Sequence, residues 1–415
     1  MVDGGGNDIN AILQGNTATP ELVPGLIEER INTYTASVGA LHAAGAQYIM
    51  VSNVPDVGNV PGIKAAELLG LIPPGFSSLF TDASNSFNDG FSLFQYMGVR
   101  DANIIPVDLN GMISFILDNA DEYGFASGDL DLGFASMDQR FMCYDGSNGD
   151  CVEHPLFGLN SVATPGDTSD PRKLIFNDAL HPAEKTSEIT GDYLIDIISA
   201  PMKVGALPNM ALNAGRTQAA VGADELRSSR WGAGEGRLFI SGDTANSDDP
   251  MSSAPEADSK SLTIGHTLVV TENLVLGAAI TASEQNMAIS GADFEAESLG
   301  LSGLMGYHKG NLFVDAAVSF ATLSYDDLVR DVKLGSKTLS ANGSTEGRVW
   351  TTDLLAGYDL LSAEDKHFAP AIGLQFSSAT VDGYTESGGE ISNYAWSDQE
   401  RESFQLRIGA VASAQ

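Results

Sequence analysis

The sequence is short of positive charge. It has 21 Lys and Arg against 55 Asp and Glu, a formal net charge of -34, and both halves of the chain are acidic. A nucleic-acid partner is excluded on this count, because there is no basic footprint to neutralise phosphates. Cysteine is nearly absent: only Cys143 and Cys151 occur, in the polar stretch C-Y-D-G-S-N-G-D-C. With no further Cys and no His set beside them, they are poor zinc ligands. Two readings stand: a local disulfide in an oxidising compartment, worth about 2.5 kcal/mol for so short a loop, or two separate thiols. His42, His154, His266, His308 and His367 are scattered and form no metal set, so no metal and no other cofactor is expected.

Long apolar runs are missing too. No stretch approaches the ~20 apolar residues of a membrane-spanning helix. No basic segment followed by an apolar run opens the chain, so no signal peptide is read. What is present suffices for folding: 415 residues, 43% apolar and only 18% charged, exceed one ordinary domain and exclude a disordered chain.

Residues 1–200 alternate helix and strand. Ile9 to Leu13 is apolar and follows Asn-Asp, a good pair for a helix N-cap. Leu26 to Ala44 has helical spacing and stops at Gly45. Ala46 to Val54 (A-Q-Y-I-M-V-S-N-V) and Ala102 to Val107 (A-N-I-I-P-V) read as buried strands. Ser86–Met97, Asn110–Tyr123 and Glu184–Ile198 read as helices. This alternation predicts an α/β fold with a parallel sheet. Residues 202–235 are rich in small residues and predict a linker helix.

From Gly236 onward the period becomes two. Leu312, Val314, Ala316, Val318 and Phe320 alternate with residues such as Asp315 and Ser319. The same pattern recurs near 237–242, 262–270, 274–280, 299–307, 350–358, 368–376 and 404–410, giving eight strands. Such alternation fits a soluble sandwich or a transmembrane antiparallel β-barrel. Strands of about 10 residues, aromatics at strand ends (Tyr307, Tyr325, Trp350, Tyr358) and small polar second faces favour the barrel.

Two short stretches carry chemistry. In F-N-D-A-L-H-P, Asp178 and His181 are three apart. On a tight turn the carboxylate can meet the imidazole Nδ1–H, fix its tautomer and stabilise the imidazolium. Pro182 keeps His181 out of the helical region. A surface turn gives the same spacing. In G-G-G-N-D, glycines allow close approach of another group. Asn7 on such a turn can aim its amide at a developing oxyanion, worth about 2.7–4 kcal/mol in a good site. Asp8 reads as a helix cap.

Together these stretches resemble a family. G-G-N-D (Gly5 to Asp8) looks like block III of the SGNH, or GDSL, hydrolases, and D-A-L-H-P (Asp178 to Pro182) like their block V. V-S-N-V-P-D-V-G-N-V-P (Val51 to Pro61) and D-E-Y-G-F (Asp121 to Phe125) resemble stretches of their bacterial esterase and lipase members. The downstream region resembles the β-barrel translocator of autotransporters. The resemblance implies three parts: a hydrolase passenger over residues 1–201 with a flavodoxin-like sheet, a linker helix over 202–235, and a barrel over 236–415. It makes His181 the general base, Asp178 its orienting partner and Asn7 an oxyanion donor, with Gly5 and Gly6 shaping the loop. The reaction implied is hydrolysis of an ester or lipid through an acyl-enzyme. The implied setting is the outer membrane with the passenger at the cell surface, a monomer with outer-membrane lipid and the barrel-assembly machinery as partners.

The resemblance also implies missing parts. In the family a G-D-S serine and a block II glycine precede block III, whereas Asn7 follows Met1 by six positions. Family barrels have twelve strands and an aromatic last residue, against eight strands and G-A-V-A-S-A-Q here. The expectation is a chain truncated at both ends and inactive by itself. A non-catalytic, adhesin-like passenger and a soluble two-domain protein are the competing readings. Residues near 203–231 are expected to thread the barrel, with Arg216, Arg227 and Arg230 facing acids such as Asp315 or Asp353.

Overall fold

The computed structural model describes residues 1–16, 19–68, 70–98, 102–125, 144–145, 151–152, 171–177, 180–230, 236–247, 256–363 and 366–414. They form two compact units: Met1–Ile197 with Lys333–Thr338, and Ile198–Val332 with Leu339–Gln415.

The first unit mixes helices and strands. Its elements are α1 (Gly6–Gly15), α2 (Val23–Ala43), β1 (Tyr48–Ser52), α3 (Pro61–Leu68), α4 (Phe76–Gly98), β2 (Asn103–Val107) and α5 (Leu109–Asp118). The short β3 (Tyr144–Asp145) and β4 (Cys151–Val152) follow, and then α6 (Glu184–Val204). β1 and β2 run parallel, from Tyr48 opposite Asn103 to Ser52 opposite Val107. Val2 bridges Val51 in the same sense: its N–H donates to Met50 O at 2.8 Å, and its carbonyl accepts from Ser52 N at 3.1 Å. The parallel order is therefore Val2, β1, β2.

Helical spacing builds the core beneath this sheet. Ile27, Ile31, Tyr34 and Val38 share one face of α2 and pack with Ile9 and Leu13 of α1, Val51 of β1, and Phe80 and Phe87 of α4. Burial of each large side chain stabilises by about 1.5–3 kcal/mol. Tyr34 keeps its ring in this core while its hydroxyl donates to the carbonyls of Val2 and Ser52, each at 3.1 Å. Burial, above all, raises its pKa.

The start of α1 differs from expectation. Its cap position is Gly5 with φ 105°, so Asn7 and Asp8 lie inside the first turn and cap nothing. Only glycine adopts that angle without strain, which lets the helix begin at Gly6, three residues early.

The second unit contains α7 (Leu207–Arg230) and the long strands β5 (Gly236–Ser247), β6 (Glu256–Thr271), β7 (Leu274–Ile289), β8 (Ala292–Lys309), β9 (Leu312–Leu334) and β10 (Lys337–Tyr358). β11 (Leu361–Ala363) precedes β12 (Lys366–Val381). The short β13 (Tyr384–Thr385) and β14 (Ala395–Trp396) precede β15 (Gln399–Ala414). The eight long strands form one antiparallel sheet in the order β5-β6-β7-β8-β9-β10-β12-β15. These are the eight strands read from the alternation.

Register explains the surface. Ile240, Ile264, Ile280, Leu301 and Phe320 lie side by side across five strands, and all five are exposed. The opposite face buries Thr263, Thr281, Ser319, Thr351 and Ser377. An apolar outside and a polar inside is the distribution of a membrane barrel, not of a soluble sandwich. No helix among the described residues is long and apolar enough to cross a membrane.

Three details correct the sequence reading. The strands run to 22 and 23 residues in β10 and β9, about twice what a bilayer needs. They continue beyond the apolar band, as β8 does through outward Asp293, Glu295 and Glu297. Tyr325 is no girdle residue: it is fully buried and donates to Leu207 O at 3.0 Å. Among the described residues, Asp353 accepts from Gln375 and Arg407.

α7 lies along the inner face of the sheet. Gln285 Nε2 donates to Met210 O at 3.2 Å and Arg216 Nη2 to Ser403 Oγ at 2.7 Å. Gly215 and Gly222 admit the wall: a Cβ on either would sit 2.4 Å from Thr351 Oγ1 or Leu304 Cδ2. The side chains of Arg227 and Arg230 lie outside the described residues.

Candidate active site

The carboxyl ends of Val2–Asp3, β1 and β2 lie at one edge of the parallel sheet, where open α/β folds bind ligands. Each strand hands over to a different loop. Asp3 leads into Gly4, Gly5 and the start of α1. β1 leads into residues 53–60. β2 leads into Asp108, which accepts from Gly111 N at 2.8 Å and caps α5.

Loop 53–60 is clamped from α4. Asn88 Oδ1 accepts from Val54 N at 2.8 Å, and its Nδ2 donates to Val54 O at 2.9 Å. Ser84 Oγ accepts from Val57 N at 3.1 Å, and Thr81 Oγ1 donates to Asp56 at 3.1 Å. Thr81, Ser84 and Asn88 recur at helical spacing, so one face of α4 fixes the loop. Val54 in turn fixes the glycine turn, because a Cβ on Gly5 would lie 2.7 Å from Val54 Cγ2 and 2.9 Å from Phe87 Cζ. Gly6 is under no such constraint; its Cβ would meet Val54 Cγ1 at 3.8 Å.

His181 arrives from the other side, on a tight turn. Phe176 and Pro182 form an antiparallel bridge, and Asn177 N donates to His181 O at 2.8 Å. Pro182 ends the turn, and α6 starts at Glu184. His181 is exposed. Asp178 belongs to the same turn in sequence but lies outside the described residues.

These elements enclose a cavity of about 440 Å³, lined by Gly5, Gly6, Asn7, Leu180 and His181 together with Val54. Residues 175 positions apart in the chain thus face one space. The first N–H groups of α1 have no partner within the helix, so its positive end lies at this cavity. Sharing Asp3, Pro55, Val60 and Leu180 with it, a second cavity of about 180 Å³ adds Leu109, Ile113, Leu117 and Phe176.

Sequence reasoning missed Asp3, whose Oδ1 accepts from Ser52 Oγ at 2.8 Å and which lines both cavities. It also missed Thr81, Ser84 and Asn88, whose helical spacing was the available signal among the many polar residues of α4. Cys143 lies outside the described residues; β3 and β4 place Asp145 opposite Cys151.

Comparison with known proteins finds a family match for the second unit and relatives along the whole chain. Residues 236–415 match the Autotransporter beta-domain family. Esterase EstA of Pseudomonas aeruginosa is 31% identical over 379 residues, 88% of this chain and 54% of its own length. An uncharacterized protein of the trpE-trpG intergenic region of Pseudomonas putida is 30% identical, over 99% of this chain and 65% of its own. Lipase 1 of Photorhabdus luminescens is 24% identical, over 96% of this chain and 66% of its own. The chain therefore spans about half to two thirds of these relatives. It is related to esterase and lipase autotransporters: an outer-membrane β-domain preceded by a passenger at the cell surface.

Proposed function

We propose that the cavity at the carboxyl edge of the parallel strands hydrolyses carboxylic esters as an SGNH, or GDSL, hydrolase does. The observation that carries this reading is the meeting of Asn7, the start of α1 and His181 in one space, in a chain similar to Esterase EstA and Lipase 1. His181 takes the proton of a serine hydroxyl as that oxygen bonds to the acyl carbon. Asp178 orients the imidazole. The carbonyl oxygen becomes an oxyanion facing the Asn7 amide and the N–H groups of α1. His181 then protonates the leaving alcohol, and water releases the acid. The neighbouring apolar cavity would take the acyl chain.

None of the described residues lining the larger cavity is Ser, Thr or Cys. In this reading the nucleophile comes from outside these 415 residues, and the chain alone is inactive. The passenger comprises residues 1–201 with a flavodoxin-like sheet, 202–235 link it, and 236–415 belong to the barrel. Cys143 and Cys151 pair. Eight strands close around little more than side chains, while a helix such as α7 is about 10–12 Å across. Open edges are costly in lipid, so further strands complete the wall, folded by the barrel-assembly machinery into a monomer.

The test is a chimera carrying the Esterase EstA residues that precede the matched region. Hydrolysis of p-nitrophenyl butyrate by the chimera, absent from the chain alone and lost with His181→Ala, is the expected result. A folded but inactive chimera refutes the catalytic reading. The absence of Ser, Thr and Cys among the described lining residues then favours a second function, a non-catalytic surface passenger.

A further inference from the structure

Residues 382–398 join β12 to β15 and fold back into the barrel mouth. β13 and β14 pair within this segment, Tyr384 opposite Trp396. Asn342 of β10 and Ser387 exchange two backbone hydrogen bonds, at 2.7 and 2.9 Å. Tyr384 lies over Gly343, where a Cβ would come within 2.5 Å of its ring. It belongs to one apolar cluster with Val204 at the end of α6 and with Leu207 and Met210 at the start of α7.

Glu386, Ser392 and Tyr394 of the segment converge on Arg330 of β9. Its side chain is 1% exposed, and that of Glu386 is 2% exposed. Arg330 Nε and Nη2 donate to the two carboxylate oxygens of Glu386 at 3.1 and 2.6 Å, and Nη2 also donates to Ser392 O at 2.6 Å. The guanidinium lies 4.9 Å from the Tyr394 ring centre. Glu386 Oε2 accepts from Tyr394 N at 3.0 Å as well.

We propose that residues 382–398 are a lid over the barrel mouth and that the Arg330–Glu386 pair is its latch. A bidentate pair with its remaining donors satisfied is stable in a dry site. Removing one partner strands a buried charge or a buried carboxylate, and the segment relieves this by leaving the mouth for water. A buried pair is little screened by salt, so the lid stays shut at high ionic strength. Its apolar seat includes the first turn of α7, so closure requires that helix in place.

Chymotrypsin tests this on the full chain folded in detergent, because Tyr384, Tyr394 and Trp396 are its sites. The expected result is wild-type resistance at these bonds in low and high salt. Cleavage there rises about a hundredfold in Arg330→Met and at least about tenfold in Glu386→Gln, with β-sheet circular dichroism unchanged. Should Arg330→Met not fold, the near-isosteric Glu386→Gln gives the reading. Wild-type resistance in either folded variant overturns the latch. Cleavage of folded wild type at the rate of unfolded chain, or opening by salt alone, overturns the lid.

Discussion

The two units of this chain place their apolar residues differently. In the first, the core is mostly apolar, and Ile9 and Phe87 are wholly inaccessible. In the second, Thr351 and Ser377 are wholly inaccessible, while Ile408 is 80% and Leu301 62% exposed. Both obey one rule, that apolar surface leaves water; they differ in what surrounds them. Water surrounds the passenger, so its apolar residues turn inward. Lipid surrounds the barrel, so they turn outward, and the inward face meets a helix offering polar contacts such as the Arg216–Ser403 bond.

Substitutions can break this contrast, and the largest effect is expected in the passenger core. Phe87→Ala removes a fully buried ring that stacks with Phe91 and borders Gly5. It should lower passenger stability by about 3–5 kcal/mol, read as earlier denaturant unfolding of that unit with the barrel transition unmoved. Next comes Leu301→Arg in the middle of the outward row. It should cost about 2–4 kcal/mol for the chain folded in lipid, whereas Leu71→Arg, exposed on the passenger, should change stability by less than about 0.5 kcal/mol. Equal effects would show that Leu301 does not face lipid.

Gly5→Ala forces an L side chain to φ 105° and into Val54 and Phe87. A loss of roughly 2–3 kcal/mol is expected, and Gly6→Ala should be much milder. Similar losses at both positions would refute the account of the glycine turn. The smallest effect is confined to alkaline pH. Burial, helped by the Asp108 charge, raises the Tyr193 pKa to about 12. The folded state resists ionisation that the unfolded chain undergoes near 10. Stability is therefore intact below about pH 10 and declines as pH rises towards 12, and Tyr193→Phe should flatten the decline by up to one proton. An unchanged slope would place that tyrosine in water.

Much of the barrel was legible in the sequence because a strand's two faces alternate residue by residue, so one solvent on each side writes itself into the period. That is why all eight long strands were found. Their length was not legible, because the extensions past the bilayer are polar on both sides of the pattern's meaning: outward Glu295 and Glu297 read as loop. Tyr325 misled for a related reason. Asp326 and Asp327 are both exposed, and the inward positions shift from odd-numbered Leu323 and Tyr325 to even-numbered Leu328 and Arg330. This change of parity cannot be read from tyrosine at a strand end. In the passenger, the glycine turn and the His181 turn were visible as local motifs. The clamp of Asn88 on Val54 was not, since its partners are 34 residues apart.

The sequence by itself determined which solvent each region meets, where the period changes from helical to alternating, and which residue types could serve an ester-cleaving site. These are properties of neighbours along the chain. Only the tertiary structure decided that Asn7 and His181 line one cavity, that Asp353 takes Arg407 and Gln375, and that Arg330 meets Glu386. Those contacts join residues far apart in sequence. They depend on strand register and on which side chains a close-packed interior leaves room for, and a local pattern carries neither.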